Sequence, residues 1–329
     1  MIKNMQTSIR LDGPSHVDNT AVCSSKVPFV NGPVSVQIQS VLYNNEFIAI
    51  QRAVQSLARA AELAITAGIC SKVKLLYGDS SSLQSLTEAQ LATLNAAGLS
   101  SLAVEYVYFD GNIGSACGHN TLAKNCEADF LLIQNPDIVV SSRILEYLLA
   151  PFTSPGIGMT EAKQLPIEHP KDYDPVTGET GWATTACAMI PVPLFNQLNG
   201  FDAESYFLYC DDVDFSWLVR EAGFKVLFQP AAAVFHDKRL TTTGKWQSSA
   251  AEHYYSAEAA LFLTYKWSRP DLTTEYLAFF ENHGDDNQKK AAKTFTERRS
   301  NNQLPNPHDP DHKIAQFIGN YYTRHRFEL

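Results

Sequence analysis

From Val34 to Leu149 the chain alternates short apolar segments of period two with longer segments of helical period, and few folds accept that order. Val34–Leu42 alternates as a strand. Phe47–Ala67 carries Ile48, Ala49, Val54, Leu57, Ala58, Ala61 and Ile65 as a helical stripe. Val73–Tyr77, Ala103–Phe109 and Phe130–Gln134 read as strands, and Leu86–Ala97, Ile113–Cys126 and Ile144–Leu149 as helices. The β-α-β-α-β-α-β succession predicts an α/β fold with a Rossmann-like, largely parallel sheet flanked by helices. In such sheets ligands bind beyond the carboxyl ends of the strands. Asn44, Asp79, Asn112 and Asn135-Pro136-Asp137 each follow a strand, so the fold carries them to one edge. Singly these are ordinary turn residues; four converging together point to a site.

With 329 residues the chain has surface for one large domain or two modest ones. Residues 1–33 lack periodicity and read as an extension or loosely docked arm. No apolar run approaches the ~20 residues of a membrane-spanning helix, and the start lacks the apolar core of a signal peptide, so a cytoplasmic protein is expected. The six cysteines show neither CxxC pairs nor a disulfide framework and read as buried free thiols. A net charge of −9 argues against nucleic acid as a partner, because phosphate attraction needs a basic surface.

The second half changes character. Ser205-Tyr-Phe-Leu-Tyr-Cys-Asp-Asp-Val-Asp214 sets Asp211, Asp212 and Asp214 between an aromatic run and a helix of about Asp212 to Ala222, with Phe215, Leu218 and Val219 on one face and Gly223 as its stop. Carboxylates at a helix start satisfy free N–H groups and the helix dipole, ~0.3–1 kcal/mol each. One would suffice as a cap, and burying several is costly without a cation or a proton. By itself the segment fits helix capping or a catalytic carboxylate. Val226–Gln229 and Ala232–Phe235 read as two short strands leading to His236. An aromatic and alanine-rich helix follows at Ser248–Trp267, then a Pro- and Asp-rich stretch, Leu304–Asp311, and a last short helix, Ile314–Arg324.

Four motifs in order carry a family resemblance. Asn112-Ile-Gly-Ser-Ala-Cys-Gly-His-Asn120 and Asp129-Phe-Leu-Leu-Ile-Gln-Asn-Pro-Asp-Ile138 come first. Gly200-Phe-Asp202 with Phe207-Leu-Tyr-Cys-Asp-Asp-Val-Asp214 and Arg220-x-x-Gly223 follows, and His236 lies 24 residues after Asp212. Together they resemble the inverting family 2 glycosyltransferases of the GT-A fold, over residues 34–240. The resemblance implies a GT-A catalytic domain there, with residues 241–329 as a C-terminal helical region. It implies transfer of a sugar from a nucleotide-sugar donor, UDP- or dTDP-linked, to a hydroxyl of a glycan or lipid-linked saccharide, in bacterial surface polysaccharide synthesis.

The chemistry fits these residue types. The diphosphate leaving group gains negative charge as the glycosidic bond breaks, and a divalent cation stabilises it. The resemblance makes Asp137 and His236 ligands of Mn²⁺ or Mg²⁺, and a structural histidine is the competing reading of His236. Asn135, standing for the first Asp of D-x-D, would contact donor ribose or phosphate. Inverting transfer needs one general base within reach of the acceptor hydroxyl. The resemblance gives that role to Asp212, acceptor binding to Asp211, and a structural role to Asp214. Asn44, Asp79, Asn112, Gly114 and Asn120 would bind the donor.

Two departures put nucleotide preference in doubt: Leu42 stands where Thr is usual, and Gly78-Asp79-Ser80-Ser81 displaces the acidic residue by one. Trp182 fits a sugar-stacking platform or plain core packing, and Lys238 fits a diphosphate contact or a solvated turn. The basic, aromatic tail to Arg326 suits the inner face of the cell membrane, docking on the catalytic domain, or a second subunit in a homo-oligomer. The rival is a non-catalytic nucleotide-sugar or glycan-binding module on the same fold. A Gly-rich phosphate loop is missing after the first strand, which disfavours dinucleotide and nucleotidyl-transfer enzymes.

Overall fold

The computed structural model describes residues 30–98, 100–236 and 250–323. The strands are β1 (Val34–Leu42), β2 (Cys70–Asp79), β3 (Ala103–Tyr108), β4 (Phe130–Gln134), β5 (Ile138–Val140), β6 (Ile157–Leu165), β7 (Glu179–Thr180), β8 (Cys187–Pro191) and β9 (Lys225–His236). The helices are α1 (Phe47–Thr66), α2 (Glu88–Ala97), α3 (Ser115–Ala123), α4 (Ile144–Leu149), α5 (Val192–Gln197), α6 (Asp211–Glu221), α7 (Ala250–Lys266), α8 (Pro270–His283) and α9 (Asp286–Ser300).

The strands form one sheet in the order β3-β2-β1-β4-β8-β6-β9-β5, with β7 on β9. β3, β2, β1 and β4 are parallel neighbours, as the alternation predicts. β8 is antiparallel to both β4 and β6, which restores the common direction for β6 and β9. Leu42 lies opposite Asp79, and Asp79 opposite Tyr108, so the first three strands end level with one another. That register delivers the loops carrying Asn44, Ser80–Ser81 and Asn112 to one edge.

Period-two alternation divides the core between the sheet's two faces. Phe130 and Leu132 join Ile50, Val54, Leu57 and Leu148 on one side, while Leu131 and Ile133 join Ala116, Leu194, Phe215 and Val219 on the other. Burying each of these large side chains stabilises the fold by ~1.5–3 kcal/mol. On α1, Val54, Leu57, Ala58 and Ala61 of the expected stripe are buried, but Ile48 is exposed and Ile50 is buried in its stead. A third cluster joins Tyr206, Val213 and Trp217, around α6, to Phe262, Trp267 and Phe295 of residues 250–300. The helical region therefore packs directly behind α6.

Two expectations change. The strands expected at Val226–Gln229 and Ala232–Phe235 are one strand, β9, whose pairing with β6 slips between Ala162 and Lys163, opposite Gln229 and Ala233. Pro230 lies in that slip; lacking an N–H it cannot continue the ladder, and a bulge absorbs it. The expected helix at Ile314–Arg324 is not helical over residues 314–323. Asp309 takes the N–H groups of Lys313, Ile314 and Ala315, and Ile318 pairs with Tyr321 around Gly319 (φ 66°). No helix among the described residues is long and apolar enough to cross a membrane.

Candidate active site

The edge of the sheet brings Asp137 and His236 together. Ile138 pairs with His236 across β5 and β9, which sets Asp137 Oδ1 3.6 Å from His236 Nε2. His236 Nδ1 lies 2.8 Å from Gln164 Oε1, an acceptor, so the ring proton belongs on Nδ1. Nε2 is then the basic nitrogen, facing Asp137 and, at 3.3 Å, the amide of Asn135. A histidine fixed through its far nitrogen is how metal-binding imidazoles are oriented. Among the described residues no group of three or more His, Cys, Asp or Glu side chains is placed to hold a metal ion, so a cation here could take at most this one carboxylate and one imidazole. Such a pair leaves coordination positions for phosphate oxygens and water, which suits Mn²⁺ and, less well, Mg²⁺. Asp137 also lines a cavity of about 190 Å³ with Tyr43, Asn44 and Arg52.

Asp211 and Asp212 stand in the first turn of α6. Tyr209 (φ 70°) and Cys210 (φ 57°) precede them in the left-handed region, a strain of ~1–3 kcal/mol each for residues other than glycine. What holds this turn is visible behind it. Asp214, fully buried, accepts from Lys266 Nζ and Trp267 Nε1 at 2.8 Å each, and Lys266 also binds Asp202 at 2.8 Å. Asp214 is thus the structural carboxylate of the three. Ahead of it, the left-handed Gly114 lets the Phe207 turn close on α3: a Cβ there would lie 2.5 Å from the Phe207 carbonyl.

Burial pushes the Asp211 carboxyl up to about 7, with the Asp212 charge adding to it. Its Oδ2 has no hydrogen-bond partner among the described residues. Asp212 is less buried. Burial raises it too, but the Val213 N–H, the Lys171 ammonium and the Thr184 hydroxyl favour its ionised form. Burial thus favours the neutral form of both carboxyls, while the Lys171 ammonium and the Thr184 hydroxyl oppose it at Asp212.

Other expected site residues do different work. Asp79 is fully buried and accepts from Ser81 N, Ser85 N, Ser85 Oγ and Tyr106 Oη. Burial alone would raise it; these bonds outweigh burial and hold it below the usual carboxylate range. They also fill its ~four acceptor positions, so Asp79 shapes the loop rather than contacting a donor directly. Through that loop Ser81 Oγ takes the N–H of Asn44 at 2.8 Å. Asn112 turns the chain, its Oδ1 accepting from Gly114 N. Asn120 is structural: its amide pairs with both the N–H and the carbonyl of Phe201, at 2.9 and 2.7 Å. Trp182 is core packing, 4% exposed, with Lys171 Nζ 3.9 Å from its ring centroid and Tyr322 edge-on at 5.0 Å. No ring face remains for a sugar. Lys238 lies outside the described residues.

Sequence reading missed Lys171, whose buried ammonium holds both oxygens of buried Glu161 at 2.7 and 2.5 Å, and Lys266 behind α6. Lys171 lies 10 residues after Glu161 and Lys266 lies 52 after Asp214, and no local pattern marks either pairing.

No family model matches the chain. An 83-residue stretch is 34% identical to N-acetylglucosaminyl-diphospho-decaprenol L-rhamnosyltransferase of Mycobacterium tuberculosis, from two strains, covering 25% of this chain. The match spans only 27% of that relative's length. Solved structures agree more widely. The mannosyltransferase PcManGT from Pyrobaculum calidifontis, in complex with GDP-Man and Mn²⁺, superposes with a TM-score of 0.53 at 13% identity over 83% of this chain and 77% of its own. GalNAc-T7 with UDP, GalNAc and Mn²⁺ gives 0.51 at 15%, over 84% and 60%; S. aureus TarS gives 0.50 at 13%, over 80% and 43%. The chain has the GT-A glycosyltransferase fold.

Proposed function

We propose that this chain is a divalent-cation-dependent inverting glycosyltransferase. It would move a sugar from a nucleotide-sugar donor to a hydroxyl of a glycan or lipid-linked saccharide, in bacterial surface polysaccharide synthesis. The observation that carries this reading is the meeting of Asp137 with a His236 whose Nε2 is turned toward it; the N–H of Asn135, two residues before Asp137, donates to the carbonyl of Ala186, two residues after the Thr184 that bonds Asp212. The similar proteins support it: a rhamnosyltransferase named for an N-acetylglucosaminyl-diphospho-decaprenol acceptor, and structures holding GDP-Man and Mn²⁺ or UDP, GalNAc and Mn²⁺.

Asp137 and His236 would hold the cation, which supplies Lewis-acid neutralisation of the departing diphosphate. Asp212 takes the proton of the acceptor hydroxyl as that oxygen bonds to the anomeric carbon. The bond from that carbon to the donor phosphate oxygen breaks, and the nucleoside diphosphate leaves with the electron pair. A single base and a single displacement invert the anomeric centre. Asp211, kept protonated by burial and its neighbour's charge, can donate a hydrogen bond to the acceptor. Lys171 and Thr184 favour the ionised form of Asp212 beside it.

The test is thermal unfolding of the full chain with UDP-, dTDP- and GDP-sugars, each with Mn²⁺, Mg²⁺ or EDTA. A ligand bound only by the native state raises the melting temperature by mass action. We expect a cation-dependent rise with one nucleotide class, abolished in Asp137→Ala. A rise that persists in EDTA and in Asp137→Ala would refute the metal assignment; none with any donor would refute the transferase reading.

A further inference from the structure

A second concavity, of about 590 Å³, lies between the turn at residues 203–207 and helices α7 and α9. Its lining mixes three rings, Phe207, Tyr254 and Tyr255, with Glu258, Asn287 and Lys290. Phe207 and Tyr255 stack with centroids 4.6 Å apart and planes 19° from parallel, and Tyr254 stands edge-on to Tyr255 at 5.0 Å. The Tyr254 hydroxyl binds Glu258 Oε1 at 2.8 Å, and Lys290 Nζ lies 5.1 Å from the Tyr254 ring centroid. Arg298, also in the wall, is committed elsewhere: it binds the carbonyls of Glu204 and Gln303 and covers the Phe262 ring.

This lining selects among ligand classes. A sugar ring has apolar C–H faces and a rim of hydroxyls that both donate and accept. Flat aromatic surface answers the first, and a carboxylate, an amide and an ammonium answer the second. An alkyl chain laid here would strip water from Glu258 and Lys290 without replacing it, at a cost of several kcal/mol. A nucleotide phosphate would face the Glu258 carboxylate. The groove also adjoins the catalytic edge. Ser115 N donates to the carbonyl of Phe207, whose turn continues into Asp211 and Asp212, and Tyr255 lies within electrostatic reach of Tyr43, which lines the Asp137 cavity.

We propose that this groove is a saccharide subsite, holding sugar units of the acceptor remote from the hydroxyl that attacks. The proposal rests on the transferase reading, and makes the preferred acceptor an oligosaccharide rather than a single sugar. The subsite belongs to the helical region, so it sets acceptor choice without entering the chemistry.

The test uses the full chain, without donor, on an array of defined oligosaccharides from single sugars to hexasaccharides, followed by saturation-transfer NMR on those captured. Oligosaccharides should bind more tightly than their single sugars. Glu258→Gln, which keeps an oxygen acceptor for the Tyr254 hydroxyl, and Asn287→Ala should each weaken binding about tenfold, the loss of one hydrogen bond to a charged or amide group. Asp212→Asn should retain capture while losing transfer. Capture kept with transfer also kept in Asp212→Asn would refute the base assignment and leave the subsite standing. No capture of any oligosaccharide, or capture unchanged in both groove variants with native melting curves, overturns the subsite.

Discussion

Asp211→Asn should make this protein more stable at pH 8 and leave it unchanged near pH 4. Asp211 is 5% exposed, its Oδ2 is unpaired among the described residues, and Asp212 stands beside it. Its carboxyl rises from 3.8 to about 7 on folding. The folded chain therefore binds a proton there that the unfolded chain has released. Stability from this group is fully present below the unfolded value, near pH 4, and is lost as pH rises toward 7. At ~1.4 kcal/mol per pH unit the penalty above pH 7 is on the order of 2–4 kcal/mol, shared between the two neighbouring carboxylates. Asparagine has the same shape and no charge to desolvate, so it removes the penalty. Urea unfolding of both proteins from pH 4 to pH 8 measures it. A difference that is flat with pH, or a variant less stable at pH 8, would refute the account of a buried, unpaired carboxyl.

Further outcomes follow from the same geometry. Asp212→Asn should lower the turnover number by ~10²–10⁴ while the donor KM holds, as removal of a general base does; steady-state kinetics that leave turnover intact would place the base elsewhere. Lys266→Met should cost about 3–5 kcal/mol in urea unfolding, because it strands Asp202 and Asp214 without their shared cation. A loss below about 1 kcal/mol would mean the pair is already solvated. Gly114→Ala places a Cβ 2.5 Å from the Phe207 carbonyl at φ 79°, so the turn must shift; donor and acceptor KM should both rise, and unchanged kinetics would contradict the packing.

Much of the site was legible in the sequence because its residues sit at fixed offsets from regular elements. Asn44, Asn112 and Asn135 to Asp137 follow β1, β3 and β4, and strand register alone carries them to one edge. Asp211, Asp212 and Asp214 were legible as a helix start, and Asp214 as its structural member. Roles were harder to read than positions. Asp79 and Asn120 occupy motif positions, yet their polar atoms are consumed by Ser81, Ser85, Tyr106 and Phe201. Trp182 read equally as a sugar platform or as core packing, and Lys171 and Tyr322 against its ring make it packing. A motif records which residue stands at a place, whereas its function depends on which partners already satisfy it.

The order of strands and helices, the two-sided core and the edge on which the site forms were determined by local pattern, since period and turn chemistry act over a few residues. The antiparallel insertion of β8, the bulge at Pro230, the unwound stretch after Asp309 and the groove against α7 and α9 were decided only by tertiary structure. So was the difference in surroundings that divides Asp211 from Asp212, burial raising both and Lys171 opposing it at Asp212. That division depends on burial and on Lys171, a charge about forty residues away in the chain that the fold sets beside Asp212. Desolvation and charge act through space, so the sequence can supply the groups but not their proton affinities.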